Sequence, residues 1–283
     1  MTTETMGAVP DTRRRAVGSP ALAALGWREA RRLVSSPVYI AIFGLLAVNG
    51  LGAATHLGDL HLPSQKEMYD FIEWPLVLFG GIATYAAAHL VTSSARRSGA
   101  EPQLRSLPGG ASSRVLGQLL GVLMGPVVVA AVLLAVLGRV GAGLVPEIPG
   151  EGPLSVVELG QVALMVLGGG VFGIMVATWL RFPGSLVIGL VLLIFGTVWL
   201  GSASLGYADW LPWLTPMTTA DYWMDDAAQL VPGSQLWHGV YLAGLCGLAV
   251  VAAGLRDRER RTRWVVAGLA VGSVTVLAAA AQT

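Results

Sequence analysis

The chain alternates between long apolar stretches and shorter polar segments that hold nearly all of its charges. Seven apolar stretches approach or exceed the length of helix needed to cross about 30 Å of hydrocarbon at about 1.5 Å per residue. In lipid, a helix satisfies its own backbone hydrogen-bonding groups, so each stretch is predicted to be a spanning helix. The predicted spans are Val38–Leu57, Trp74–Val91, Val115–Leu137, Val156–Leu180, Ser185–Ser202, Leu236–Leu255 and Trp264–Ala281.

Composition agrees with a membrane protein. Of 283 residues, 54% are hydrophobic and only 12% are charged, against about 25% charged residues in an average soluble domain. The single cysteine, Cys246, excludes a disulfide framework and a multi-thiolate metal site. The net charge of +1 gives no global attraction to nucleic acid. The bias toward Ala, Gly, Val, Leu and Arg hints at a bacterial genome of high GC content.

The polar segments differ in charge according to the side of the membrane on which they would lie. With seven spans, 16 of the 18 basic residues fall on the side of the N-terminus, and only Lys66 and Arg139 fall opposite. The net charges are +10 on the first side and −9 on the other. Because Arg and Lys resist translocation, this asymmetry predicts a multi-pass protein of the bacterial plasma membrane with a cytoplasmic N-terminus and an external C-terminus.

The predicted membrane interior is nearly free of ionisable groups. No span carries Asp, Glu, Lys or Arg near its middle, which argues against ion-coupled transporters and proton pumps, since these need such groups at depth. No Gly-x-x-x-x-Gly-Lys-Ser/Thr phosphate loop occurs. We therefore expect no catalytic residue, metal or cofactor on this chain, and any use of ATP with magnesium would take place on a separate subunit.

Histidine and serine residues leave one enzymatic alternative. Ser202 and Ser204 lie at the outer end of the fifth predicted span, at a depth similar to His238 in the sixth. A Ser–His pair within hydrogen-bond reach could serve an intramembrane serine hydrolase or protease. His56 and His61 fall in a predicted loop, where we expect them to be solvated.

Small and polar residues within the spans suggest how the helices pack. Gly117, Gly121 and Gly125 are spaced four apart, as are Gly169 with Gly173 and Gly268 with Gly272, and this spacing favours close helix contact, more often within one subunit than between two. Asn49 is expected to form an interhelical hydrogen bond. Together with three apolar side chains it forms a possible substrate pathway: Asn49, Met124, Met165 and Phe195.

Two segments on the predicted cytoplasmic side combine arginines with apolar residues. Residues 20–36 predict an amphipathic helix with a stripe of Arg28, Arg31 and Arg32, which would lie in the membrane interface before Pro37 breaks it. Residues 93–110 predict a short helical piece, suited to docking on a soluble partner, that ends at a Pro-Gly-Gly sequence. A plain solvated loop that only fixes topology is the alternative.

The order of these segments resembles a known family. An interfacial Glu-Ala-Arg-Arg-Leu-x-x-Ser-Pro sequence, a span, an Arg-Arg-x-Gly-x-Glu…Leu-Pro loop and a Gly-rich third span are similar to ABC-2-type permeases, the membrane subunits of ATP-binding-cassette exporters. The resemblance covers roughly residues 20–255. It implies an ABC ATPase subunit and a second permease copy, in a homo- or heterodimer, as partners within membrane lipid. The seventh span departs from the six-span core of that family.

The resemblance also assigns parts of the chain. It implies an all-α polytopic membrane fold with a disordered cytoplasmic tail (1–19), a connecting helix (20–36), a six-span permease domain (37–255) and a basic loop with an additional C-terminal span (256–283). The expected activity is export of a lipophilic substrate. The residues that would transmit motion from the ATPase are Arg28, Glu29, Arg31, Arg32, Arg96, Arg97, Glu101 and Arg105. A non-transporting assembly or sensor protein is a further alternative.

Overall fold

Every regular element in the part of the chain that the structure describes is helical. The structure is a computed structural model, and it describes residues 19–60, 75–99, 110–142, 156–202, 214–216 and 234–282. Its helices are α1 (Ser19–Val34), α2 (Pro37–Leu60), α3 (Leu76–Arg97), α4 (110–142), α5 (Val156–Trp179), α6 (Ser185–Ser202), α7 (Gln235–Gly254) and α8 (Arg261–Ala281). The predicted tail lies outside these residues, except that Ser19 already belongs to α1.

The predicted amphipathic helix is present and ends at a sharp bend. After Val34, the chain turns through Ser35 and Ser36, and α2 begins at Pro37 at an angle of 66° to α1. The Ser36 hydroxyl accepts the backbone N–H of Tyr39 at 3.2 Å, and this bond caps the first turn of α2.

Three helices are longer than the hydrophobic pattern predicted. The first helix continues to Leu60, and His56, expected to be solvated in a loop, lies within this helix, so its placement in a loop was wrong. The second continues to Arg97, so Arg96 and Arg97 lie in its last turn rather than in a loop. The third runs over 110–142, and Pro126 lies in a π-helical turn, Leu123–Val127, within it. Polar residues extend these helices because a backbone that is already helical gains a hydrogen bond with each added residue.

Five helices are long and apolar enough to cross a membrane: Leu76–Arg97, Ser112–Val136, Gly160–Trp179, Gln235–Gly254 and Arg258–Ala281, all among the described residues. The bent pair of α1 and α2 counts as a sixth if it is one span, and the apolar part of α6, Ser185–Trp199, is shorter. The fold is therefore an all-helical bundle of membrane type.

Helix α5 lies at the centre of the bundle and packs between α3 and α7. Its inward side chains Val162, Met165 and Val166 are almost fully buried. Helix α1 packs along α4, and α8 packs chiefly against α7. As a result, 61% of the apolar stretch of α3 is buried, whereas only 11% of the apolar stretch of α8 is buried.

The glycine pairs predicted to mediate packing contact helices of the same chain. A Cβ atom at Gly169 or Gly173 would overlap the carbonyl oxygens of Gly81 and Tyr85 on α3. On α8, a Cβ at Gly268 would stand 3.0 Å from the side chain of Val251 on α7. These glycines lie against neighbouring helices of the same chain, because the absence of a side chain lets the backbones approach.

Candidate functional site at the arginine-rich end

The directions of the helices bring most described arginines to one end of the bundle. Contacts join the end of α3 to the end of α5, the end of α5 to the end of α7, and the segment after α7 to the start of α4. Arg139 lies instead near the opposite end of α4. We call the end that these three contacts define the arginine-rich end. The residues predicted to transmit motion from the ATPase are called the coupling set, and every described member of it lies at this end.

Helix α1 packs against the face of α4 that carries Gly121 and Gly125. A Cβ at Gly121 would lie 2.7 Å from the Cβ of Glu29 and 3.1 Å from the backbone nitrogen of Ala30. A Cβ at Gly125 would lie 3.1 Å from the carbonyl oxygen of Ala30. The arginine-bearing helix therefore contacts α4 backbone to backbone, which the sequence pattern of α1 alone did not indicate.

Glu29 lies at this contact and is only 8% exposed. The Nη1 atom of Arg32 donates to its two carboxylate oxygens at 3.0 and 3.2 Å. A carboxylate at such a closely packed position needs a charged partner, because an unpaired charge there loses its hydration without compensation. Arg32 is itself 42% exposed at the side chain, so the pair links a buried anion to an accessible cation.

Arg32 also joins α1 to α3. Its Nη2 atom donates to the Ser94 hydroxyl at 2.9 Å, and that hydroxyl donates onward to the carbonyl oxygen of Val91 at 2.6 Å. Ser94 lies in the last turn and a half of α3, close to Arg96 and Arg97. The two segments that the sequence suggested as a coupling surface therefore meet through one guanidinium group.

The two arginines at the end of α3 bind backbone carbonyl groups. The Nη1 atom of Arg96 donates at 3.1 Å to the carbonyl oxygen of Ala177, in the last turn of α5. The Nη2 atom of Arg97 donates at 2.7 Å to the carbonyl oxygen of Leu90 on its own helix. A cation beside the last carbonyl groups of a helix is stabilised by the negative end of the helix dipole. Arg96 thus extends the connection from α3 to α5.

The remaining described members of the coupling set face outward. Arg28 and Arg31 are exposed, and the guanidinium carbon of Arg31 lies 5.4 Å from the ring centroid of Trp27, which is half exposed. Glu101 and Arg105 lie outside the described residues. The exposed face of α1 is therefore positive, while its buried face is tied to α3 and α4.

A buried Ser–His contact that sequence reasoning missed lies at the same end. Nε2 of His89 on α3 lies 2.9 Å from the hydroxyl oxygen of Ser185, the first residue of α6. Both residues are buried, and Nδ1 of His89 has no hydrogen-bond partner within the described ranges. Beside this pair, the hydroxyl of Tyr85 donates to the carbonyl oxygen of Leu186 at 2.9 Å. No sequence spacing signals this pair, because its members are 96 residues apart.

At the opposite end, His238 contacts the end of the chain. Its Nδ1 atom lies 3.0 Å from Oε1 of Gln282, and both residues are buried. Ser204, one of the two serines proposed to pair with His238, lies outside the described residues. Ser202 is the last residue of α6, and its side chain is not among those described. The described contact makes His238 part of the link between α7 and α8.

The four residues suggested as a substrate pathway occupy different environments. Met165 is 2% exposed in the core, whereas Phe195 is 65% exposed on the outer surface of α6. Met124 is 38% exposed in the π-helical turn beside α1. The amide nitrogen of Asn49 donates to the carbonyl oxygen of Leu45 on its own helix at 2.8 Å, where an interhelical bond was expected. Polar side chains in helices often bind the carbonyl four residues earlier, since that acceptor is always within reach.

No protein-family model, curated protein or solved structure matches this chain.

Proposed function

We propose that this chain is the permease subunit of an ABC exporter, on the basis of the sequence resemblance and the arrangement of α1. In this proposal the chain spans the bacterial plasma membrane seven times with its N-terminus in the cytoplasm. It pairs with a second permease copy and with ABC ATPase subunits, which bind ATP and magnesium. The exported substrate is lipophilic.

The observation that carries the proposal is the Glu29–Arg32–Ser94 connection. A positive helix that only lay in the headgroup region would need no buried carboxylate and no direct bond to another helix. Here the buried face of α1 contacts the backbone of α4 and binds the end of α3, while its exposed face presents Arg28 and Arg31. Such a helix is suited to passing a displacement from a soluble partner to two spans.

The proposed path of motion continues through α3. Movement of a docked ATPase would shift α1, and Arg32 would transfer that shift to Ser94. From α3 the displacement would reach α5 through Arg96 and Ala177, and the first turn of α6 through His89 and Ser185. Closely packed helices move as units, because their interfaces are not continuously deformable.

The test is coexpression with the ATPase encoded nearest to this gene, followed by copurification and assay of ATP hydrolysis. We expect the wild-type chain to stimulate hydrolysis and the pair Arg28→Glu with Arg31→Glu to reduce stimulation at least severalfold, because both residues are exposed and their reversal leaves the buried contacts in place. Arg139→Glu, exposed at the opposite end of α4, is the matched control. Unchanged stimulation in the double variant would show that the exposed face of α1 does not contact the ATPase.

The same preparation distinguishes the exporter from the enzymatic alternative. An intramembrane serine hydrolase acting through Ser202 or Ser204 would react with a serine-directed fluorophosphonate, and His238→Ala would abolish the labelling. Labelling that depends on His238 would replace the exporter proposal with the hydrolase. An assembly or sensor protein would give neither stimulation nor labelling.

A further inference from the structure

A cluster of arginines lies just before α8 and in its first turn. We call it the arginine turn, and it consists of Arg258, Arg260, Arg261 and Arg263, all of them exposed. Their side chains make no hydrogen bond or ion pair with any residue in the described ranges. Residues 256–263 contain five arginines and two acidic residues, a net charge of +3 within eight positions. Such a density of positive charge favours an anionic ligand.

The turn is held in a fixed position. The Asp257 carboxylate accepts the backbone N–H of Glu259 at 3.2 Å, which caps the short 3₁₀ turn Arg258–Arg260. The Ser112 hydroxyl at the start of α4 donates to the other oxygen of Asp257, and the indole nitrogen of Trp264 donates to Ser112 at 3.3 Å. The arginines are therefore presented by a turn that is anchored to α4.

The position of the turn on α8 indicates what surrounds it. Directly after Arg263 and Trp264, the side chains of Val265, Val266 and Leu269 are 43%, 62% and 69% exposed. Since α8 contacts little besides α7, hydrocarbon must cover most of its circumference if it spans the membrane. Leu269 lies six positions after Arg263, about 9 Å along the helix axis at about 1.5 Å per residue. If α8 spans the membrane, the arginine turn therefore lies one to two turns from its lipid-covered apolar surface, at the level of the headgroups.

Trp179, which lies beside Arg256, also fits a position at the level of the headgroups. The guanidinium carbon of Arg256 lies 6.0 Å from the ring centroid of Trp179, which is half exposed, and the Trp179 indole donates to the carbonyl oxygen of Ala252 at 2.7 Å. Tryptophan with both an exposed ring and a satisfied N–H is typical of the membrane–water interface. Basic side chains just outside a spanning helix attract anionic lipid.

We infer that the arginine turn binds the headgroups of anionic phospholipids. On α8, exposed arginines are followed directly by valine and leucine side chains that lipid would cover. Binding of a soluble protein would not require this order of residues. The inference depends on α8 crossing the membrane and is independent of the transport proposal.

The experiment measures lipid selectivity of the full-length protein in phosphatidylcholine bilayers. Spin-labelled phosphatidylglycerol or spin-labelled phosphatidylcholine is added in trace amount, and the fraction immobilised by the protein gives the relative association constant. We expect the wild-type protein to prefer phosphatidylglycerol. Each arginine near an anionic surface contributes about fivefold to that preference, so Arg258→Gln with Arg260→Gln should lower it by more than tenfold, and added salt should weaken it.

Matched variants distinguish a lipid site from a folding defect and from a protein-binding surface. Arg139→Gln, at the other end of the bundle, should leave the selectivity unchanged, and Arg258→Lys with Arg260→Lys should retain it, which excludes loss of folding as the cause. A double glutamine variant that keeps the full preference for phosphatidylglycerol would overturn the inference. If the double glutamine variant keeps this preference but no longer binds a copurifying ATPase, the turn is a binding site for a protein partner instead.

Discussion

Arg32 and Ser94 are 62 residues apart in the sequence and are joined by a hydrogen bond of 2.9 Å between guanidinium and hydroxyl. The same guanidinium binds the carboxylate of Glu29. One side chain thus fixes the position of α1 relative to α3, and the contact of Glu29 with Gly121 fixes it relative to α4. We expect both the stability of the bundle and its function to depend on this arrangement.

Removing the two partners of the ion pair should have unequal effects. Arg32→Gln leaves the Glu29 carboxylate buried without its cation and should lower the free energy of unfolding by about 3 kcal/mol. Glu29→Gln leaves only a half-exposed arginine, which water can solvate, and should cost about 1 kcal/mol. Thermal unfolding of the purified protein in detergent measures both. Arg31→Gln, on the exposed face, serves as the control, and equal losses for the first two variants would contradict the buried position of Glu29.

Gly121→Ala should loosen α1 from the bundle. The added methyl group would meet the Cβ of Glu29 and the backbone of α1, neither of which can rotate away, so we expect a loss of about 1–3 kcal/mol. Gly44→Ala on α2 is the matched control because a Cβ at Gly44 has no neighbour within 4 Å, and replacing a helical glycine there should gain up to about 1 kcal/mol. Faster tryptic cleavage at Arg28 and Arg31 should accompany the loss in Gly121→Ala. Equal effects at both glycines would mean that α1 is not seated on α4.

Ser185→Ala should destabilise the start of α6. The substitution removes the hydroxyl bound to Nε2 of His89, so that neither ring nitrogen of this buried histidine would have a partner among the described residues. A buried polar group that loses its partner costs about 1–3 kcal/mol. Ser98→Ala, at an exposed serine, should be nearly neutral. In a double-mutant cycle with His89→Leu, additive effects would show that the two side chains do not interact in the membrane.

Because Ser185 is 1% exposed, we expect it to remain unlabelled by a fluorophosphonate despite its contact with a histidine. Serine nucleophiles act only where a substrate can reach them. Mass spectrometry of the treated protein would locate any modified serine. Modification at Ser185 would mean that α3 and α6 separate in solution.

The predicted topology can be tested with reporter fusions. Seven spans place the C-terminus outside, so alkaline phosphatase fused after residue 283 should be active, and green fluorescent protein at that site should be dark. The matched fusions after Asp257 should give the opposite pair of results. If both sites report the same side, then α8 does not cross the membrane, and the count of spans and the lipid site would both need revision.

Much of the helical arrangement could be predicted from hydrophobic pattern, because a helix in lipid depends on its own backbone bonds and on a sufficient run of apolar side chains. Each of the seven apolar stretches overlaps one of the described helices, and the amphipathic segment before them is α1. The residues at which the helices end were less predictable from the hydrophobic pattern. Polar residues such as Arg96 continue a helix when a neighbouring helix offers them an acceptor, here the carbonyl of Ala177.

The sequence by itself determined the helical class, the amphipathic character of α1 and the sorting of arginines away from the predicted external loops, since each depends on composition or on local periodicity. Only the tertiary structure decided that Glu29 is buried against Gly121, that Arg32 reaches Ser94, and that His89 meets Ser185. These contacts join residues 62 to 96 positions apart. They depend on which helices are neighbours and how closely their backbones approach, and helical periodicity contains no information on either.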